Sequence, residues 1–174
     1  MDSLFQRSQE NPLLRARDLP FPASAVYNPG VAVHDGDTVL LIRVEDRRGF
    51  SNIHVARSEN GVDGWRVEDE PFLAYGQPDQ PYEELGCEDP RITYLPEKDA
   101  YYITYVAYSP AGSAVGLAQT RDFQSVERMG LVFSPSNKDA VLFPRKVNGY
   151  WTVLHRPAAG DIENIWSARS PDLV

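Results

Sequence analysis

The chain has 174 residues, 42% hydrophobic, 11% aromatic and 24% charged, enough for one domain with a real core. A net charge of −8 argues against an unaided nucleic-acid or anionic-membrane surface. One cysteine, Cys87, excludes an internal disulfide and suits a reducing compartment, so a cytoplasmic location is expected.

Residues 1–27 mix both charge signs and have no apolar core of signal-peptide length; they are read as an N-terminal extension. No stretch approaches about 18 consecutive apolar residues, so no membrane partner is expected. Helix-period segments are scarce. Short β-rich runs recur instead: Thr38 to Val44, Asn52 to Ala56, Tyr101 to Tyr108, Val115 to Ala118 and Tyr150 to Leu154. Turn chemistry such as "HDGD", "ENGVDG" and "VNGY" separates them. Many short strands with regular turns predict an all-β fold.

The order within these runs repeats. A residue–proline pair opens each unit: Asn28-Pro29, Asp89-Pro90 and Phe143-Pro144. Each unit's third strand ends in Ala, any residue, Ser or Thr, any residue, then Asn or Asp, as in "ARSENG" at 56, "AQTRDF" at 118 and "ARSPDL" at 168. A period of about 50–60 residues with four short strands is the pattern of β-propeller blades. The units fall at 28–85, 86–135 and 136–174, the last without a fourth strand. This reads as an incomplete propeller of about two and a half blades. Its open edges predict association, either with a second copy or with a missing C-terminal half.

Asn28 and Asp89 open equivalent innermost strands, so both would face one cavity. Asp89 lies in "GCEDPRITYL", with Glu88 before it and Arg91 two residues on, on the same side of an extended strand. Cleaving a glycosidic bond needs a proton for the leaving oxygen, which one carboxyl supplies. A hydrolase needs a second carboxylate; attacking phosphate instead needs cations to hold it. Lys138 and Arg156 are candidates for that. The plainer alternatives are an Asp89–Arg91 ion pair, a turn asparagine at 28, a solvated lysine at 138, and packing roles for His34, His54, His155 and the tyrosines of the Tyr101–Tyr108 run. No metal site is expected, since Cys87 has no partner cysteine or well-spaced histidine.

Taken in order, "YNPGVAV", "LLIRVEDRRGFSNIHVARSENGVDGW", "GCEDPRITYL", "GLAQTRDF", "NKDAVLFPRKVNGYWTVLHRP" and "IWSARSPDL" resemble the β-mannoside phosphorylases of glycoside hydrolase family 130. The resemblance runs from about residue 25 to the end and covers about the N-terminal half of a family member. It implies a five-bladed β-propeller. It also implies inverting phosphorolysis of a β-mannosyl oligosaccharide to α-mannose 1-phosphate and a free acceptor sugar, with phosphate as co-substrate and no cofactor. Asp89 matches the general acid, acting through the mannose 3-hydroxyl. Asn28, Arg43 and Arg57 match substrate-binding positions, and Lys138 and Arg156 match the phosphate side. Asn52 stands where the family pattern has histidine. Family members that hydrolyse β-mannosides, and a non-catalytic sugar-binding fragment, remain the alternatives, and the short chain alone is expected to be impaired.

Overall fold

A computed structural model describes residues 8–158, 160 and 164–173; residues 1–7 of the expected extension, and Val174, lie outside the described residues. Apart from two 3₁₀ turns, Ala16–Asp18 and Pro81–Glu83, the regular structure of the described residues is all strand. The first unit is a four-stranded antiparallel meander of β1 (Ala25–His34), β2 (Asp37–Glu45), β3 (Ser51–Ser58) and β4 (Arg66–Val67). The second repeats it with β5 (Gly86–Leu95), β6 (Ala100–Ser109), β7 (Gly112–Thr120) and β8 (Glu127–Phe133). The third has β9 (Asn137–Leu142), β10 (Trp151–Pro157) and β11 (Trp166–Ser170). A single parallel pair, Ser51 with Gly86, joins the first two units.

The units pack face to face, which explains the unbroken apolar runs. In β2 and β3, Val39, Leu41, Ile53 and Val55 face the second unit, where they meet Ile103, Tyr105 and Ala107. Their neighbours Leu40, Ile42, Val44 and Ala56 face the other way, onto Leu14, Leu19, Phe21 and Ala23 of the N-terminal segment. A strand buried on both faces needs no polar alternation, hence "TVLLIRV". Leu95, Tyr102, Leu117, Leu142 and Trp151 close the seam between the second and third units.

The first strands of the units lie side by side. A Cβ on Gly30 of β1 would sit 2.9 Å from both Ile92 Cγ1 and the Pro90 carbonyl oxygen of β5, so the approach needs glycine. The buried hydroxyls of Thr93 and Thr104 donate to the β9 carbonyls of Leu142 (2.9 Å) and Ala140 (2.7 Å). The signature ending each third strand is a side-chain-closed turn. Ser58 Oγ accepts from Gly61 N at 3.0 Å, Thr120 Oγ1 from Phe123 N at 3.0 Å, and Ser170 Oγ from Asp172 N at 3.4 Å.

The opening marker of the third unit needs correction. The ladder slips between Tyr27 and Gly30 in β1, between Glu88 and Arg91 in β5, and opposite Leu154 and Arg156 in β9. The extra residues at these bulges are Asn28 (φ 36°), Asp89 (φ 48°) and Asp139 (φ 53°). Asn and Asp tolerate this left-handed conformation better than other side chains. Proline follows in two units and Ala140 in the third. Phe143-Pro144 falls beyond the end of β9, so it is not the equivalent pair.

Candidate active site

The bulges in β1 and β5 turn Asn28 and Asp89 toward each other. Asn28 Nδ2 donates to Asp89 Oδ1 at 2.9 Å. Arg43, in β2, donates through Nη1 to the same oxygen at 3.2 Å and through Nη2 to Glu88 Oε1 at 2.8 Å. Its Nε donates to the buried hydroxyl of Ser51 at 2.9 Å, and its guanidinium lies over the Tyr27 ring, 5.2 Å from the centroid. The three charged side chains are 16–18% exposed. Charge-assisted bonds are strongest in such partly desolvated surroundings. Asp89 Oδ2 takes neither of these bonds.

One guanidinium thus serves two carboxylates. Burial pushes the Glu88 carboxyl up from its usual range; Arg43 and Lys138 pull it down, while Asp89 and Glu45 add to the rise. The influence of Lys138 brings the third unit to the same end of the molecule. There Lys138 pairs across the ladder with Arg156. Arg156 donates to one oxygen of Asp139, from Nε at 2.8 Å and Nη2 at 2.6 Å. Beside it His155 stacks on Phe133 with centroids 4.0 Å apart, and its Nδ1 lies 3.1 Å from Asn137 Oδ1. Burial lowers its pKa, which favours the neutral ring.

Of the positions singled out in the sequence, Asn28, Arg43 and Asp89 are brought into direct contact, and Lys138 and Arg156 stand on the neighbouring unit. Arg57 is not brought to them. It is six residues along β3 from Ser51, about 20 Å in an extended chain. Its guanidinium donates to the carbonyls of Asp122 (2.9 Å) and Phe123 (3.4 Å), holding the turn after β7. Arg91 is not the cation at Asp89 either: the bulge breaks the two-residue alternation, and Arg91 donates to the Pro90 carbonyl at 3.4 Å. Asn52 accepts from the Tyr75 backbone N–H at 3.0 Å. The "EDRRGF" turn closes on itself, with Asp46 accepting from the backbone N–H groups of Arg48 (2.8 Å) and Phe50 (3.1 Å).

Sequence reasoning missed Asp139, Ser51 and a buried cluster around Glu83. Asp139 carries the bulge signal without the proline that made the other two visible. Among the described residues, no group of three or more His, Cys, Asp or Glu side chains is arranged to hold a metal ion. No helix of the described residues is long and apolar enough to cross a membrane.

The fold and site thus define an all-β protein of repeated antiparallel units with a carboxylate pair and cations at one end. Comparison with known proteins makes this specific. Residues 9–174 match the family model described as beta-1,4-mannooligosaccharide phosphorylase, and the chain belongs to that family, glycoside hydrolase family 130. It is 32% identical to a beta-1,2-mannobiose phosphorylase of Listeria innocua, covering 96% of this chain and 62% of that one. It is 25% identical to a beta-1,4-mannooligosaccharide phosphorylase of Ruminococcus albus, covering 96% and 51%. The solved structure of a beta-1,2-mannobiose phosphorylase from Listeria innocua with beta-1,2-mannobiose superimposes with a TM-score of 0.82 at 29% identity, covering 96% of this chain and 63% of that one. The chain therefore spans less than two thirds of the length of these relatives.

Proposed function

We propose that this chain carries the acid-bearing part of an enzyme for inverting phosphorolysis of β-mannosides, giving α-mannose 1-phosphate and a free acceptor sugar. The observation that carries the reading is the junction at Asp89. A carboxylate on a left-handed bulge is held by Asn28 and Arg43 of the neighbouring unit, beside a second carboxyl, Glu88, whose pKa burial has raised. Asp89 is the proton donor to the departing sugar oxygen, by way of the mannose 3-hydroxyl. Asn28 and Arg43 fix its position and contact the mannosyl ring. Lys138 and Arg156 hold phosphate, whose two charges and oxygens suit a guanidinium fork beside an ammonium. Attack by phosphate needs no carboxylate to activate water, and a cation pair beside the acid favours phosphorolysis over hydrolysis.

In this reading the units are blades of an incomplete propeller. Their meander order, the packing of β1 on β5 and of β5 on β9, and the three equivalent bulges support it.

The test is phosphate-dependent release of mannose 1-phosphate from β-1,2- and β-1,4-mannobiose. Asp89→Asn is expected to cost at least about 100-fold, the usual worth of a general acid. Undiminished turnover in that variant overturns the assignment, and turnover in phosphate-free buffer makes the enzyme a hydrolase.

A further inference from the structure

Behind the carboxylate pair lies a charged cluster that the proposed chemistry does not use. Glu83, at the end of the 3₁₀ turn leading into β5, is 3% exposed. Arg128 of β8 clasps its carboxylate, with Nε at 3.2 and 3.0 Å from the two oxygens and Nη2 at 2.9 Å. Tyr105 of β6 donates to Oε1 at 2.5 Å, and the Cys87 thiol of β5 donates to Oε2 at 3.2 Å. Arg128 also donates to the Ala74 carbonyl at 3.1 Å, tying the connection between the first two units into the same knot. Burial, reinforced by the Glu83 charge, pushes the Cys87 and Tyr105 pKa values up, so both remain donors. Burial opposes the charge on Arg128, but Glu83 outweighs it and keeps the guanidinium protonated.

Room has been made for this knot. A Cβ on Gly116 would lie 2.4 Å from Tyr105 Cζ, so glycine there lets the phenol reach Glu83. A buried ion pair is a poor device for stability alone, because well-packed apolar groups do as well or better. What apolar groups lack is direction. Here bonds from β5, β6 and β8 meet on one carboxylate, and Cys87 is the residue before Glu88.

We infer that Glu83 is a positioning residue for the carboxylate pair. By fixing where β5 enters its sheet, it sets where Glu88 and Asp89 meet Arg43 and Asn28. Its catalytic meaning rests on the function proposed for Asp89, but its geometry does not.

The test reads the mouth directly in the whole chain. The ¹⁵N–¹H resonances of the Arg43 Nε–H and the Asn28 side-chain amide report the bonds to Ser51 and Asp89. In Glu83→Gln both are expected to move toward solvent-exposed positions. Their hydrogen exchange should accelerate roughly tenfold or more relative to the core amide of Ile103, as local opening does. The double variant Glu83→Gln/Arg128→Met, which removes the stranded charge, should regain thermal stability without regaining those resonances. Should Glu83→Gln not fold, Tyr105→Phe removes one donor, keeps the ring and should shift the same resonances less far. A folded variant that melts earlier but leaves both resonances in place overturns the inference. The readout needs no turnover. If Asp89→Asn leaves phosphorolysis undiminished while the resonances move, the proposed function fails and the positioning role stands.

Discussion

Arg43 is the residue on which the site turns. Its fork reaches two carboxylates while its Nε is anchored on Ser51, and a lysine, whose three donors share one nitrogen, cannot span these acceptors. Arg43→Lys keeps the charge but is expected to lower phosphorolysis by at least about 100-fold, with the larger change in kcat. Histidine tells a different story. His54 is 3% exposed, stacks on Phe21 at 4.5 Å, and has Nδ1 3.1 Å from the Glu68 carbonyl oxygen. Burial lowers its pKa below the usual 6.5, against the pull of the Glu68 carbonyl and nearby acids. The unfolded chain therefore takes up a proton before the folded one does. Stability should be full above pH 6.5 and fall as pH drops through that value toward the lowered folded pKa. Melting curves between pH 7.5 and about 5 should show this acid limb, and His54→Gln should flatten it, leaving the smaller part owed to His155.

At the scale of the strand, the bulge is the unit of function, because it lifts one side chain out of the alternation that would bury or misdirect it. Asp139 should obey the same rule. Asp139→Ala and Asp139→Gly both lose the Arg156 pair, yet the glycine variant should be more stable by about 1 kcal/mol, since only alanine is penalised at φ 53°. Equilibrium unfolding of the two variants measures that difference. Gly116→Ala tests the opposite constraint in β7. The added methyl meets the Tyr105 ring and should cost about 1–3 kcal/mol, with Tyr105→Leu relieving part of it in a double-mutant cycle. The short strands and their closing turns were legible because hydrophobic runs and Ser-x-Asn or Thr-x-Asp turns are local signals. Asn28 and Asp89 were legible because proline follows each of them. Asp139 was hidden by Ala140, and Phe143-Pro144 mimicked the missing marker from a position one strand-end too late.

Across the whole molecule, the first two units are locked at both ends by arginines of the first, and the locks do different work. Arg43 meets carboxylates at one end; Arg57 meets backbone carbonyls at the other. Arg57→Met is expected to cost about 1.5–3 kcal/mol of stability, as loss of charged hydrogen bonds does. It should leave mannobiose affinity by calorimetry unchanged. Sequence adjacency does not bring Arg57 to the Asp89 junction, because a strand carries neighbours in sequence about 3.3 Å farther away with every residue. The Glu83–Arg128 pair was illegible for the reverse reason: its members are 45 positions apart and belong to no local pattern. The Asp89 junction has one more implication, for anyone building arrays from these repeats. Copies of the first unit alone would present an amide at every bulge and no acid. Copies of the second would present an acid at every bulge, but Val106 holds the place opposite Glu88 that Arg43 holds opposite Tyr27. The third unit carries both within itself, with Arg156 beside Asp139, but between the first two units acid and counter-charge meet only at the mixed seam, so the Asp89 junction belongs to the boundary and is inherited by neither tile.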